Sequence, residues 1–343
     1  MHKIGIKIHL HAFEYGRPHR EELNPICSSV NYYPRDTTII SHITLIPYSV
    51  LSRQSDRLLK NLLKDNYPIL FDGIQTTLYL DHRNLSGRCK YVRIHNIENL
   101  YYLTLARIEK RAVNRLYYHL ESFRLKRYEG ILEKADKLIT VSEVDQEYYN
   151  SKFNNSILIP SFHPFNQVKC RKGTGEYLLY HGDLSVNENV AVSEHLIAKV
   201  FSKVPFRCVI AGKNPPAHLA VKTLPFDNIT LISNPDNENM ARIIRDAHVN
   251  ILPTMAVNGL KLKLLMSLFS GRHCVVNNTT IKGSGLGELC QIADTSEEMI
   301  RKIHYLMELP FTEEMIADRK RVLLKNNDNL INAQKLSRLI FPA

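Results

Sequence analysis

The residues best placed to do chemistry begin in the second half of the chain. The run Leu252-Pro253-Thr254-Met255-Ala256-Val257-Asn258-Gly259-Leu260-Lys261-Leu262-Lys263-Leu264-Leu265-Met266 continues through Gly271. An apolar stretch leads into a glycine-containing loop, and the periodic segment after it opens with Lys261 and Lys263. Backbone N–H groups at a helix start attract phosphate oxygens, and neighbouring lysines strengthen the attraction. A plain glycine turn with two solvated lysines would look the same, so this segment alone leaves both readings open. A second cluster, Val92-Arg93-Ile94-His95-Asn96-Ile97-Glu98, sets a histidine among charged and amide side chains at what reads as a strand end. Loops at strand ends often carry binding and catalysis. A lone histidine is more often structural, and this chain has 15 of them.

Both clusters need a frame, and the pattern around them supplies one. Short apolar, β-branched runs alternate with helical periodicity, which indicates parallel βα units and an α/β fold. The first half predicts strands over Ile4–Leu10, Thr38–Ile46, Ile69–Phe71 and Tyr91–Ile94, with a helix around Asp56–Asn66. A long basic helix is expected from about Tyr101 to Glu133, then a strand through Ala135–Val141 ending at an N-cap, Ser142. Pro160-Ser161-Phe162-His163-Pro164 interrupts regular structure, and Lys172-Gly173-Thr174-Gly175 reads as a flexible basic turn, so a domain boundary is expected there. Beyond it the alternation resumes with Tyr177–Tyr180, Asn187–Phe201, Arg207–Ala211, Ile229–Ile232, Asn239–Ala247, Val249–Pro253, Leu262–Phe269 and Cys274–Asn277. Two more helices follow, the last predicted from Thr312 to Leu339. The expected division is residues 1–165, 175–311, and a closing helical segment 312–343 that packs back on the first domain. Parallel sheets bind ligands beyond the carboxyl ends of their strands, so two such domains imply a site in the cleft where those ends face each other.

Composition narrows the partners. At 343 residues, 44% hydrophobic and 23% charged, the chain suits two globular domains. The net charge of +11 favours anionic partners: nucleic acid, acidic lipid or phosphorylated small molecules. No nucleic-acid module is recognisable, so a nucleic-acid partner is not expected. The six cysteines form no CxxC pair or metal-ligand spacing and read as free thiols in a reducing compartment. No stretch approaches the roughly 18 apolar residues of a membrane span, and the amino terminus lacks a signal-peptide core. A cytoplasmic protein is expected, with the basic stretch Tyr101–Glu133 either peripheral on anionic lipid at the inner face of the plasma membrane or simply solvated.

The pattern Gly259-Leu260-Lys261-Leu262-Lys263-Leu264-Leu265, followed by Leu268, Gly271-Arg272 and Val275-Val276, resembles the donor-site element of the group 1 (family four) glycosyltransferases of the GT-B fold. That element approximates G-x-K-x-K-L-L-E-A-x-x-x-G-K-P-V-V. Other resemblances follow in the family's order: Ala135-Asp136 to Ser142-Glu143, Ile157–Pro160, Leu179-Tyr180-His181-Gly182-Asp183-Leu184-Ser185, Ile210-Ala211-Gly212-Lys213-Asn214-Pro215, and Ala247–Pro253. The segment Arg93–Glu98 is similar to an R-x-H-N-x-E signature in the acceptor domain of some members. The likeness covers about the last 210 residues and this shorter element.

The resemblance implies a GT-B enzyme of two Rossmann-like domains, of the kind that builds bacterial polysaccharide. It implies transfer of a hexosyl-type sugar from a nucleoside-diphosphate sugar, as substrate, to a glycan or lipid-linked acceptor. Retention of configuration is implied, with no metal and no separate cofactor; the sequence has no Asp-x-Asp pair to chelate a metal–diphosphate complex. His95, Lys263 and Lys261 are the implied catalytic residues, with the lysines stabilising charge on the departing diphosphate. Donor contacts are implied for Gly182, Asp183, Ser185, Gly212, Lys213, Asn258, Gly259, Leu260 and Met266, and acceptor contacts for Arg93, Asn96 and Glu98. This sequence departs from the family at several of these positions. Met266 and Asn258 replace the paired glutamates, and Asp183 and Glu188 replace the arginine and lysine offered to the diphosphate. Those changes keep two alternatives open: a non-catalytic nucleotide- or glycan-binding protein, and a sugar-nucleotide epimerase on the same fold.

Overall fold

The structure is a computed structural model that describes residues 1–16, 18–38, 44–255 and 262–342. It divides into two units: Met1–Leu103 with Val113–Ser161 and Asn329–Ala343, and Thr104–Ala112 with Phe162–Asp328.

The first unit holds β1 (His9–Phe13) and β2 (Ser29–Tyr33), paired parallel, and a parallel sheet in the order β3 (Ile69–Asp72), β4 (Lys90–Ile94), β5 (Lys137–Thr140), β6 (Ser156–Leu158). β4 is buried along its whole length, as expected of an inner parallel strand covered on both faces. Val92 and Ile94 join Leu58, Phe71, Leu125 and Leu138 in one core, while Tyr91 and Ile139 meet Ile159, Leu336 and Ile340 in another.

Several expectations for this half are corrected. The strand expected from Ile4 starts only at His9, because His2–Ile4 is a turn of 3₁₀ helix that Gly5 ends at φ 84°. Residues 39–43 of the strand expected over Thr38–Ile46 lie outside the described residues, and Thr44–Ile46 is a bend. The long basic helix is two helices, Glu98–Ile108 and Ala112–Tyr128, followed by a 3₁₀ segment, Glu129–Lys134. Glu109 closes the break between them, its carboxylate accepting the Arg111 N–H at 2.9 Å.

The second unit holds β7 (Leu178–Asp183), β8 (Cys208–Lys213), β9 (Ile229–Ser233), β10 (Val249–Ile251), β11 (His273–Val276) and β12 (Gln291–Ile292). All pair parallel, in the order β12-β11-β10-β7-β8-β9. Numbered within the unit, this is the 3-2-1-4-5-6 order of a doubly wound Rossmann sheet, whose switch point lies between β7 and β10. Some of its helices start on side-chain caps, such as Asp236 for Asn237–Asp246, and a full capping box from Thr295 and Glu298 for Ser296–Met307.

The domain boundaries also move. Phe165 and Val168 pack against Leu264, Leu268 and Phe269, so the segment after Ser161 already belongs to the second unit. The turn expected to be flexible is held in place: Gly173 bridges to Phe311, and the Gly175 N–H donates to His248 Nδ1 at 2.9 Å. A Cβ at Gly175 would lie 2.5 Å from the His248 backbone nitrogen, which is why glycine stands there. The helix expected over Thr312–Leu339 is two. Glu313–Asn327 places Val322 and Leu323 in the second unit's core. Asn329–Ile340 places Leu336 and Ile340 in the first unit's core, so the chain changes unit at Asp328 and not at residue 312.

The six cysteines are unpaired; Cys208 and Cys274 are buried in strands and Cys89 is exposed. Among the described residues no helix is long and apolar enough to cross a membrane.

Candidate active site

The switch point of the second unit collects the side chains that could meet a diphosphate. A buried polar chain ties it together. His181 on β7 lies 2.9 Å from Ser267 Oγ, and that hydroxyl donates to Asn250 Oδ1 on β10 at 3.2 Å. Ser267 therefore accepts from His181 Nε2–H. Burial, helped by the charge of Lys263, drives the His181 pKa down to about 3, so the imidazole is neutral at physiological pH and acts as a strut.

Lys263, in the first turn of the helix Leu262–Ser270, lies above this strut. Its Nζ is 3.2 Å from Asn189 Oδ1 and 3.4 Å from the Tyr180 hydroxyl, and 5.0 Å from the centre of the Tyr180 ring. Aromatic face and amide oxygen hold the ammonium at the carboxyl end of β7. Burial, then the charge of Glu188, pushes the Tyr180 hydroxyl far above its ordinary value, which keeps it neutral beside the lysine.

Around Lys263 the backbone is shaped by close packing. Gly182 and Gly212 face each other across β7 and β8, and a Cβ at Gly212 would sit 2.0 Å from the Gly182 carbonyl oxygen. Asp183 Oδ1 accepts from the Ser185 N–H at 3.0 Å and hydroxyl at 2.6 Å, forming the turn after β7. Lys213 ends β8, exposed, and its carbonyl accepts the Leu184 N–H.

Two of the expected donor residues make contacts within the unit. Met266 is packed on the core around Tyr177, Leu179, Val209 and Ala211, so it offers packing where the family's glutamate would offer a ribose contact. Asp183 is engaged within its own turn. Lys261, Asn258, Gly259 and Leu260 lie outside the described residues.

Glu188 and Asn189 were not singled out as site residues from the sequence. Glu188 Oε1 accepts the Thr254 hydroxyl at 2.5 Å and the Met255 N–H at 2.9 Å. This buried carboxylate braces the exit of β10, while Asn277 pairs with both the N–H and the carbonyl of Thr254. Where the family offers a cation to the diphosphate, this chain uses a carboxylate to hold the loop.

The first unit presents a second group of side chains at the carboxyl ends of β3 and β4. His95 Nε2 lies 2.7 Å from Asp72 Oδ1. Arg93 is buried and donates to the Ile159 and Pro160 carbonyls at 3.4 and 3.0 Å, so it positions the loop after β6. Asn96 Nδ2 donates to Glu98 Oε1 at 3.4 Å. Burial pushes the Glu98 carboxyl above its ordinary range, against hydrogen bonds from Gln75 and Asn96. Gly73 has φ 93°, and a Cβ there would lie 2.4 Å from Gln75 Oε1, so glycine is required beneath His95. Asp72 is the residue that sequence reasoning missed; its signal was the Asp-Gly pair ending a predicted strand. Among the described residues, no three His, Cys, Asp or Glu side chains are grouped to hold a metal ion.

The chain matches no protein-family model. It is 25% identical over 302 residues, 84% of this chain and 77% of the relative, to an uncharacterized 44.6 kDa protein in the cps region of Klebsiella pneumoniae. Among solved structures, Anabaena HepE in complex with UDP superposes with a TM-score of 0.65 at 10% identity, covering 98% of this chain and 99% of that one. A glycosyltransferase from Rickettsia africae gives a TM-score of 0.59 at 10% identity, over 93% of this chain and 87% of that one. TarM gives 0.61 at 13% identity, and there this chain's 83% spans only 57% of the longer protein. With a Rossmann sheet of 3-2-1-4-5-6 order in its second unit, a parallel sheet in its first, and nearly full-length superposition on HepE, the chain has the GT-B glycosyltransferase fold.

Proposed function

We propose that the chain is a glycosyltransferase that moves a hexosyl-type sugar from a nucleoside-diphosphate sugar to a glycan or lipid-linked acceptor, in the cytoplasm, for polysaccharide assembly. The observation that carries this reading is Lys263, held by Asn189 and Tyr180 at the first turn of a helix, at the switch point of the Rossmann sheet. Charge that grows on a departing diphosphate there is stabilised more than charge in the ground state. The UDP complex of HepE supports a nucleoside diphosphate as the donor's leaving group, and the cps region of the Klebsiella relative supports polysaccharide as the product. Transfer is proposed to need no metal and to retain anomeric configuration. His95, oriented by Asp72, holds a hydroxyl of the sugar or acceptor, with Asn96 and Glu98 shaping the loop around it. Lys261, Lys213 and the Asn258–Leu260 backbone are proposed further donor contacts, with Gly182, Gly212 and Ser185 shaping the turns that admit it.

A thermal-shift panel of UDP, GDP, ADP, CMP and TDP tests the donor half. A nucleotide at about 100 times its Kd stabilises the protein by about 2.7 kcal/mol, so one diphosphate should raise Tm by a few degrees. Turnover of the matching nucleotide sugar, unchanged by EDTA, tests the rest. The packing of Met266 on the core and the use of Glu188 as a loop brace favour a second reading, a binding protein without turnover. A nucleotide shift with no transfer to any glycan acceptor would select it.

A further inference from the structure

Arg35 and Arg53 stand within reach of each other's charge in the first unit, and among the described residues no carboxylate is paired with either. Each guanidinium is pinned along one edge. Arg35 donates from Nε and Nη2 to the buried Ser52 hydroxyl at 3.2 and 2.7 Å, and Arg53 donates from Nη1 to the Ser49 carbonyl. Nη1 of Arg35, with Nε and Nη2 of Arg53, is left uncommitted among the described residues. Burial, then the like charge of Arg35, lowers the Arg53 pKa. A guanidinium nevertheless keeps its proton in a protein, so two cations remain side by side and half-buried.

The acid that shares these surroundings is spent elsewhere. Glu121 is fully buried, accepts the Tyr48 and Ser49 N–H groups at 3.2 and 2.9 Å, and lies 3.6 Å from Arg124. What surrounds the arginines instead is tyrosine. The guanidinium carbon of Arg35 lies 4.6 Å from the ring centre of Tyr15 and 5.5 Å from that of Tyr48. Tyr15, Tyr48 and Tyr102 all feel the charge of Arg53. Burial raises Tyr102 and Tyr117, which keeps them as phenols able to donate. Tyr15 is 67% exposed, so the cluster is open to solvent.

Two open guanidinium edges suit one anion, a carboxylate or a phosphate. Tyrosine rings beside them suit the apolar face of a sugar, and the phenols suit its hydroxyls. Tyr102 lies one turn after Glu98 on the helix Glu98–Ile108 and feels its charge, so the cluster adjoins the element assigned above to the acceptor.

We propose that Arg35 and Arg53, with Tyr15, Tyr48 and Tyr102, form a subsite for an acidic sugar, its ring against the tyrosines and its acid group bridging the two guanidiniums. The inference rests on the transferase reading only in making that sugar part of the acceptor; the choice of an acidic over a neutral saccharide stands on the arginines.

Ligand-observed NMR on the full chain tests it, with glucuronic acid, glucose 6-phosphate, glucose and inorganic phosphate as probes. Both acidic sugars should bind more tightly than glucose or bare phosphate, and salt should weaken them; whichever is the tighter names the acid group. Arg35→Gln and Arg53→Gln should each weaken the acidic sugars about tenfold or more, while Arg35→Lys, which keeps the charge, should lose less. Nucleotide-induced thermal shifts measured on the same samples report on the second unit. A normal nucleotide shift without acidic-sugar binding would sink this proposal alone, and acidic-sugar binding without any nucleotide shift would count against the transferase reading alone. Glucose binding as well as glucuronic acid, phosphate binding as well as glucose 6-phosphate, or both Gln variants binding as the parent would overturn the subsite. So would displacement of glucuronic acid by UDP, since the arginines would then serve the donor's phosphates.

Discussion

His95 and Asp72 are joined side chain to side chain across neighbouring parallel strands, Nε2 to Oδ1 at 2.7 Å. With the aspartate accepting from Nε2–H, the Nδ1 lone pair is left to accept a hydroxyl. Desolvation pushes the Asp72 carboxyl up, but the hydrogen bond and charge of His95, with the charge of Arg93, outweigh it and hold the group below its ordinary value. The stabilisation is therefore present above the ordinary carboxylate range and lost only as pH falls through the depressed value.

Asp72→Asn should lower kcat by about tenfold to a hundredfold, and His95→Ala by about a hundredfold or more, if the pair handles a reacting hydroxyl. Nucleotide-induced thermal shifts should be unchanged in both, because these residues lie in the first unit. The product anomer, read by NMR, bears on the role of the pair. Retention fits a histidine that only holds the hydroxyl, whereas inversion would make His95 the base.

Lys263→Met keeps the aliphatic stem and removes the charge between Asn189 and Tyr180. Loss of one transition-state contact of this kind costs about 100- to 1,000-fold in kcat. Steady-state kinetics with the matched nucleotide sugar should show it, along with a smaller nucleotide shift. Full activity in the variant would remove Lys263 from the proposed mechanism.

Two buried histidines make stability depend on pH. Burial lowers His181 to about 3 and His273 to about 4. The unfolded chain binds these protons more readily, so stability is whole above about pH 6.5 and falls as pH drops towards each folded value. Each contributes a slope of up to about 1.4 kcal/mol per pH unit. Calorimetry from pH 7.5 to 5 should show a falling Tm for the second unit, with a shallower fall in His181→Asn. A flat profile would contradict both assignments.

Gly212→Ala places a methyl 2.0 Å from the Gly182 carbonyl oxygen and 2.8 Å from Leu184 Cγ. Backbone cannot yield cheaply there, so the variant should lose about 3 kcal/mol and several degrees of Tm. An unchanged melting curve would mean that the strand pair can open without cost.

The second unit was the more legible in sequence. Its strands are continuous apolar runs such as Leu178-Leu179-Tyr180 and Cys208-Val209-Ile210-Ala211, because parallel strands buried on both faces need no polar alternation. β2 was missed since Ser29-Val30-Asn31-Tyr32-Tyr33 mixes polar and apolar residues and is only partly buried. Lys263 was legible through its place at a helix start. Asp72 and Glu188 were not, because each acquires its partner through the fold: Asp72 through the β3–β4 pairing, and Glu188 through Thr254, 66 residues away.

The return of Asn329–Ile340 to the first unit sets the order in which the protein can be completed during synthesis. The second unit has all its residues once Asp328 has been made. The first, although begun earlier, lacks Leu336 and Ile340 until they too have been made, leaving Tyr91, Ile139 and Ile159 without their cover. Domains usually close in the order they emerge. Here the unit started first is finished last, and the sheet face of Tyr91, Ile139 and Ile159 is the last apolar surface of that core to be covered.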